Sequence, residues 1–172
     1  GAGATGLALR LQVAGGVPAG NVSGSGTLQL VQITGAAGSW LAVEASELNF
    51  GLEFGPVKLA VTNGSLVLNQ APVGQARQDF TTASATGTAI QTATGIAFSS
   101  TLDGTVSLQV SGDAAIDLVG LLTVEGSFTL TQFDASGTFA GAGATGLALR
   151  LQVAGGVPSG AVSGSGTLQL VQ

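Results

Sequence analysis

The stretch GLALRLQV (residues 6–13) alternates apolar with polar or small side chains without interruption. Its odd-numbered positions from Leu7 to Val13 are leucine or valine, and the positions between them are alanine, arginine and glutamine. Successive side chains of a β-strand point to opposite faces, so a period of two predicts a strand with one apolar face.

The same alternation extends over most of the chain, and no window shows the i, i+3, i+4, i+7 apolar spacing of an amphipathic helix. Abundant glycine and β-branched residues also lower helix propensity. We therefore predict an all-β chain. The other alternating segments are ELNFGLEF (47–54), PVKLAVT (56–62), GIAFSSTL (95–102), TVSLQV (105–110) and SFTLTQ (127–132).

Four glycine dipeptides separate these runs and are predicted to be turns, because glycine supplies the positive φ that tight turns need. Asn63-Gly64 also fits a two-residue hairpin, which would place Val61 opposite Leu66 and Leu59 opposite Leu68. The other three dipeptides are Asp103-Gly104, Ser111-Gly112 and Glu125-Gly126.

The first and last 32 residues have nearly the same amino-acid sequence. Residues 1–32 and 141–172 differ only at Ala19 against Ser159 and at Asn21 against Ala161. We expect residues 1–140 to be one complete repeat unit and residues 141–172 to be the start of the next, cut from a longer array. Only small residues bridge the boundary, so the units are expected to be continuous, without a linker.

A finer phrase, glycine followed by an apolar residue and x-Leu-x-apolar, recurs with its glycines at positions 6, 26, 64, 104, 126 and 146. Most of these spacings are close to 20 or 40 residues, and repeats of this length usually stack. We expect an elongated architecture with β-solenoid-like stacking of ~20-residue units. The alternative is an antiparallel meander rolled into a tube or sandwich.

The leucine, valine and phenylalanine face is expected to form a dry core, because an apolar sheet face must be buried against something. Residues 69–91 break the alternation and are interpreted as a longer loop or decorated coil, where a specific site would be placed. The core residues that we predict are Phe50, Phe54, Phe98, Phe128, Leu9, Leu28, Leu59, Leu108 and Leu130.

Composition excludes several classes of function. Only 8% of the residues are charged and the net charge is −5, so no basic patch exists for nucleic acid. No segment approaches the roughly 20 apolar residues of a membrane helix, so membrane insertion is not expected. Histidine and cysteine are absent, which removes the usual triads, thiol nucleophiles and zinc sites. We predict that the chain is not an enzyme. The carboxylates that could form a glycosidase pair are interpreted as solvated residues on polar strand faces or in turns: Glu44, Glu47, Glu53, Asp113 and Asp117.

No resident cofactor is expected. Calcium is the one cation to weigh, and the candidate ligands are Asp103, Asp113 and Asp117, although calcium takes six to eight oxygen ligands. Trp40 at the start of WLAVEA is interpreted as a rim residue beside the core, with a binding-surface aromatic as the alternative. The residues expected on polar strand faces are Arg10, Lys58 and Arg150.

Three segments carry a family resemblance: KLAVTNGSLVLNQ (58–70), DGTVSLQVSGDAAIDLVGLLTVEGSFTLTQ (103–132) and GSGTLQLVQ (24–32 and 164–172). They resemble the Gly-, Ser- and Thr-rich tandem repeats of giant bacterial surface and secreted proteins, which are similar to large adhesins and matrix proteins. The resemblance implies an extracellular or cell-surface setting and a structural or adhesive role, and it carries over no catalytic residue.

We therefore expect a structural repeat that forms or decorates a filament, sheath or matrix, with other copies of itself as partners. The alternative is an adhesin stalk or binding module that recognises a glycan or a cell surface. Its site would lie in residues 69–91 or around Trp40.

Overall fold

The computed structural model describes residues 5–16, 22–54, 57–118, 122–134, 145–156 and 163–171. These residues form one eight-stranded sheet in which the strands follow chain order and every neighbouring pair is antiparallel. The all-β prediction is confirmed, and the arrangement fits the meander alternative rather than stacked coils. The strands are β1 (Thr5–Gly16), β2 (Val22–Gly35), β3 (Gly38–Phe54), β4 (Val57–Gln70), β5 (Val106–Leu118), β6 (Leu122–Asp134), β7 (Thr145–Gly156) and β8 (Ser163–Val171).

The pairing register sorts the side chains onto two chemically different faces. On the polar face, Arg10, Gln29 and Glu44 are neighbours across β1, β2 and β3. The opposite side, here called the apolar face, carries rows of aliphatic residues because each strand alternates in step with its neighbours. One such row crosses all eight strands through Leu11, Leu28, Ala45, Leu66, Val110, Leu130, Leu149 and Leu170.

The hairpin predicted at Asn63-Gly64 is wrong, since both residues lie inside β4. Leu59 lies opposite Leu52 on β3 and Ile116 on β5, not opposite Leu68. Asn63 has a φ of 52° at a register shift, where it forms a β-bulge. Asparagine tolerates this left-handed conformation better than most residues, so the same local preference serves a bulge instead of a turn.

A second bulge lies beside the first, at Glu47 of β3, where φ is 54°. Asn49 joins the two bulges, because its Nδ2 donates to the Glu47 carbonyl at 2.8 Å and its Oδ1 accepts from the Asn63 amide at 3.4 Å. Each bulge adds one residue and reverses the alternation. Leu48 and Phe50 therefore stay on the apolar face although their parity differs from that of Val43.

Two of the other predicted turns are also wrong. Ser111-Gly112 lies within β5 and Glu125-Gly126 lies within β6, and both strands run straight through. Asp103-Gly104 is a turn, as predicted. Gly104 has a φ of 93°, and the Asp103 carboxylate accepts from the Thr105 amide at 2.9 Å, so an Asx turn leads into β5.

Residues 71–105, here called the cover segment, connect β4 to β5 and contain a helix that the alternation did not predict. Helix α1 spans Ala85–Thr94 and is followed by a short 3₁₀ helix at Ser100–Leu102. The Ser84 hydroxyl caps α1 by accepting from the Gly87 amide at 2.9 Å, and Gly95 ends it with a φ of 74°. Only Gly87 and Ile90 of α1 are buried, so the apolar periodicity is too sparse to indicate a helix.

The buried core lies between the cover segment and the polar face of the sheet. Phe80 and Leu102 are fully buried, and the Phe80 and Phe98 rings meet edge to face with centroids 6.1 Å apart. They pack with Ile90 and Ile96 of the cover segment. The sheet contributes Val31, Ala42 and Val67, with Ile33 and Trp40 at the margin.

The predicted core is therefore mostly on the wrong side of the sheet. Phe98 is buried as predicted, but Leu9 and Phe50 lie on the apolar face and are exposed by 48% and 44%. The Phe54 side chain lies outside the described residues. The remaining predicted core residues are half-buried on the apolar face: Leu28, Leu59, Leu108, Leu130 and Phe128.

Candidate functional site

A shallow trough on the polar face crosses β4 to β8 and has a volume of about 710 Å³. Its central row consists of Asp113, Ser127, Gln152 and Thr167, which are direct neighbours on successive strands. Small residues on both sides of this row leave the trough open, because alanine, glycine and serine cover little of the backbone.

The polar groups of the trough are already partly paired with one another. The Asn63 Nδ2 donates to the Asp113 carboxylate at 2.9 Å, and the Ser127 hydroxyl donates to the side-chain Oε1 of Gln152 at 3.3 Å. Glu125 lies diagonally across from Asp113, one strand away. Carboxylates, hydroxyls and an amide can hydrogen-bond a polar ligand, and they present no nucleophile paired with a base among the described lining residues.

The three calcium candidates lie apart in the fold. Asp103 is in the turn before β5 and binds Thr105, whereas Asp113 and Asp117 lie four residues apart on the polar face of β5. Asp117 lies opposite Lys58. Across the described part of the chain, no group of three or more acidic side chains is close enough to hold a metal ion.

We expect calcium chloride to leave the thermal midpoint within about 1 °C of its value in EDTA, because no multidentate oxygen site is formed. A bound ion would stabilise the folded state by mass action and would raise Tm by several degrees. Differential scanning calorimetry in both buffers measures this. A clear rise that is lost in Asp113→Asn but kept in Asp103→Asn would contradict the expectation and place calcium on β5.

Two of the other carboxylates have structural partners. The Glu44 carboxylate accepts from the Ser99 amide at 2.8 Å and so ties β3 to the cover segment just before the 3₁₀ helix. Glu53 pairs with Lys58 at 3.3 Å, but both side chains are about half exposed, so this ion pair contributes little. Glu47 is exposed at its bulge.

Trp40 lies at the margin of the core, as the rim interpretation predicts. Its ring packs against the buried cluster, and its Nε1 donates to the Ala76 carbonyl at 3.0 Å. Residues 71–91 belong to the cover segment, and the Asn69 Nδ2 holds them to β4 by donating to the Gln78 carbonyl at 2.9 Å. In the two places where the alternative would put a glycan site, Trp40 and Phe80 therefore pack in or beside the core, whereas residues 73–76 are exposed.

The exposed apolar face is the surface that sequence reasoning missed, because that face was expected to be buried. The structure contains an internal comparison, since β7 repeats the sequence of β1 but has a neighbouring strand on each side. Leu9 and Leu11 on β1 are 48% and 46% exposed, and the equivalent Leu149 and Leu151, which have a partner on both sides, are half-buried. Neighbouring strands therefore reduce the exposure of this face without burying it, and the alternation that predicted the face was correct about its composition only.

The predicted positions of the basic residues agree with the register. Arg10 lies opposite Gln29, Lys58 opposite Glu53, and Arg150 opposite Thr129 and Gln169, all on the polar face. No helix in the described ranges is long and apolar enough to cross a membrane.

Comparison with known proteins gives no assignment. No protein-family model matches the chain, and searches of curated proteins and of solved structures return no significant match. The function therefore has to be inferred from the geometry of the sheet and from the repeated sequence.

Proposed function

We propose that this chain is a structural repeat of a long extracellular bacterial protein, in which one antiparallel sheet continues from each repeat to the next. Such an array would form or decorate a filament, sheath or matrix. The extracellular setting rests on the sequence resemblance, and the structural role rests on how the two copies of the repeated text join the sheet.

The observation that carries the proposal is the position of β7. It pairs with β6 over twelve residue pairs, from Thr123 opposite Gly156 to Asp134 opposite Thr145. The β7–β8 pair also has the β1–β2 register, since Leu149 lies opposite Leu170 just as Leu9 lies opposite Leu30. The second copy of the repeated sequence thus joins the same sheet six strands after the first, and its two strands pair in the same register as β1 and β2. The expected unit boundary at residue 140 lies outside the described residues.

Backbone geometry then gives the repeat a fixed length. Neighbouring strands lie about 4.8 Å apart, so six strands advance the sheet by about 29 Å per 140-residue unit. The hydrogen-bond ladder runs along the long axis of the array. Each unit would carry its own cover segment on the polar face, and the small polar residues of that face would contact water.

Spin-label distances test the proposal. The chain has no cysteine, so Arg10→Cys and Arg150→Cys place two unique labels at equivalent exposed positions of the two copies. We expect a narrow distribution of the distance between these two labels, centred at about 29 Å. Appending residues 33–172 to the C-terminus adds another unit, and labels at Arg150 and at its next equivalent should give the same narrow distance.

The outcome that would overturn the proposal is a broad or much longer distance for the second pair. That result would mean that the added unit folds as a separate body on a linker. Measuring the first pair in the chain of 172 residues is the internal control, because it reports the spacing within one sheet.

A second candidate is an adhesin stalk or binding module that recognises a glycan or a cell surface. The trough around Asp113 and Gln152 favours it, since carboxylates and amides pair well with sugar hydroxyls. None of the described residues lining the trough is aromatic, so no ring is offered for stacking on a sugar. Glycan-array binding that is lost in Gln152→Ala would support this candidate.

A further inference from the structure

The apolar face needs a second layer. One aliphatic row crosses all eight strands, and Val153 of β7, whose direct neighbours are Gly126 and Gly166, is 38% exposed. A sheet with one apolar face is stable only when that face packs on another layer. The cover segment cannot serve, because it occupies the polar face.

The size of the face fits a stable protein interface. Eight strands at about 4.8 Å spacing, with the shortest nine residues long at about 3.4 Å per residue, give roughly 1,000 Å² on one side. Standard protein–protein interfaces bury about 800 Å² per partner. Two such faces packed together would therefore clear the size that a stable dimer needs.

The distribution of charge also favours a second copy. No described side chain of the apolar face is charged, so two such faces can meet without burying an unpaired charge. The charges at the strand positions of the polar face would then lie on the two outer surfaces of the pair. The charged strand residues that share the polar face are Arg10, Glu44, Glu53, Lys58, Asp113, Asp117, Glu125 and Arg150.

The relief of the face suits interdigitating side chains. Gly24 and Gly26 leave a depression of about 440 Å³ that is bordered by Leu11, Val13 and Phe50. Packed sheets lie about 10 Å apart, and the side chains of each fill the gaps of the other. The shape does not favour a small-molecule site, because such sites are concave and enclose most of the ligand.

We propose that the apolar face pairs with the apolar face of a second copy of this chain, to give a two-layer sheet with a dry core. The inference builds on the proposed structural role and adds the partner and the surface. Arrays that continue along one axis would thereby become paired ribbons.

Sedimentation velocity over a wide concentration range tests the pairing, with a matched pair of double variants. Leu11→Glu with Leu168→Glu adds two charges to the apolar face at positions that are 46% and 55% exposed. Gln12→Glu with Gln169→Glu adds the same two charges to the polar face of the same strands. The unchanged chain and the polar-face variant should be dimers, and the apolar-face variant should raise the dimer Kd by at least about 100-fold.

Circular dichroism shows whether the apolar-face variant is folded. If that variant is unfolded, Leu11→Gln with Leu168→Gln replaces it, because glutamine adds polar groups to the face without charge. An unchanged chain that stays monomeric at every concentration would overturn the inference, as would equal dissociation of both charged variants. A single copy that becomes monodisperse only with bound detergent or phospholipid would also overturn it, in favour of an apolar ligand. Diluting the labelled chain with excess unlabelled chain leaves only the distances within one chain, so the two proposals can fail separately.

Discussion

Replacing Phe80 with alanine is expected to lower the free energy of unfolding by about 3–5 kcal/mol, the usual cost of removing a fully buried phenylalanine. Phe80 is 0% exposed, packs edge to face on Phe98, and anchors the cover segment to the polar face. Since whole domains are stable by only about 5–15 kcal/mol, this loss is a large fraction of the total.

The matched control is Phe50→Ala, which removes the same atoms from the apolar face. Phe50 is 44% exposed in the single sheet, so its loss should cost less than about 1.5 kcal/mol when the chain is monomeric. Urea unfolding followed by the fluorescence of Trp40, the single tryptophan, reports the cover segment directly. Equal losses for the two variants in the Leu11→Glu, Leu168→Glu background would show that the core is not where the structure places it.

The second large effect is expected at Gly87, where substitution by alanine should destabilise the chain instead of stabilising it. An alanine in place of a helical glycine normally stabilises a protein by about 1 kcal/mol. Here a Cβ on Gly87 would overlap the Thr81 carbonyl oxygen and lie against the Phe80 carbonyl, both of which are backbone atoms that cannot turn aside. We expect Gly87→Ala to destabilise the chain by about 2–3 kcal/mol, because the helix must move away from the segment that precedes it.

Gln91→Ala on the exposed side of α1 is the control for Gly87→Ala, and its effect should stay within about 0.5 kcal/mol. Urea unfolding of both variants by circular dichroism and by Trp40 fluorescence makes the comparison. A stabilised or unchanged Gly87→Ala chain would mean that α1 does not pack closely on residues 80 and 81.

The sequence predicted the strands well and their ends poorly. Whether the apolar residues fall on odd- or even-numbered positions, here called their parity, explains both results. Each glycine dipeptide was interpreted as a turn. At Ser111-Gly112 and Glu125-Gly126 the apolar positions keep the same parity on both sides, from Val110 to Ala114 and from Val124 to Phe128. A strand can run straight through such a place. At Asn63-Gly64 the parity changes, and a bulge accounts for that as well as a turn does.

The side of the sheet on which the core lies was harder to predict. Alternation shows that one face is apolar, but it does not show which face a later segment covers. A signal was nevertheless present in Leu30-Val31 and in Leu66-Val67-Leu68, where consecutive apolar residues place a large side chain on both faces. The polar trough depends on the register of five strands, which no local pattern specifies.

The order of the strands has a consequence for how such a chain folds. Each strand pairs with the one before it, so a growing chain always offers a finished edge to the next strand as it emerges. Near-identical copies could still exchange partners, with β8 joining β1 instead of β7. Closing that far longer loop costs roughly 2–3 kcal/mol more in chain entropy, because each doubling of loop length adds about 0.6 kcal/mol. Kinetics and entropy thus both favour the partner that is nearest in the chain, which lets a highly repetitive sequence keep a single register.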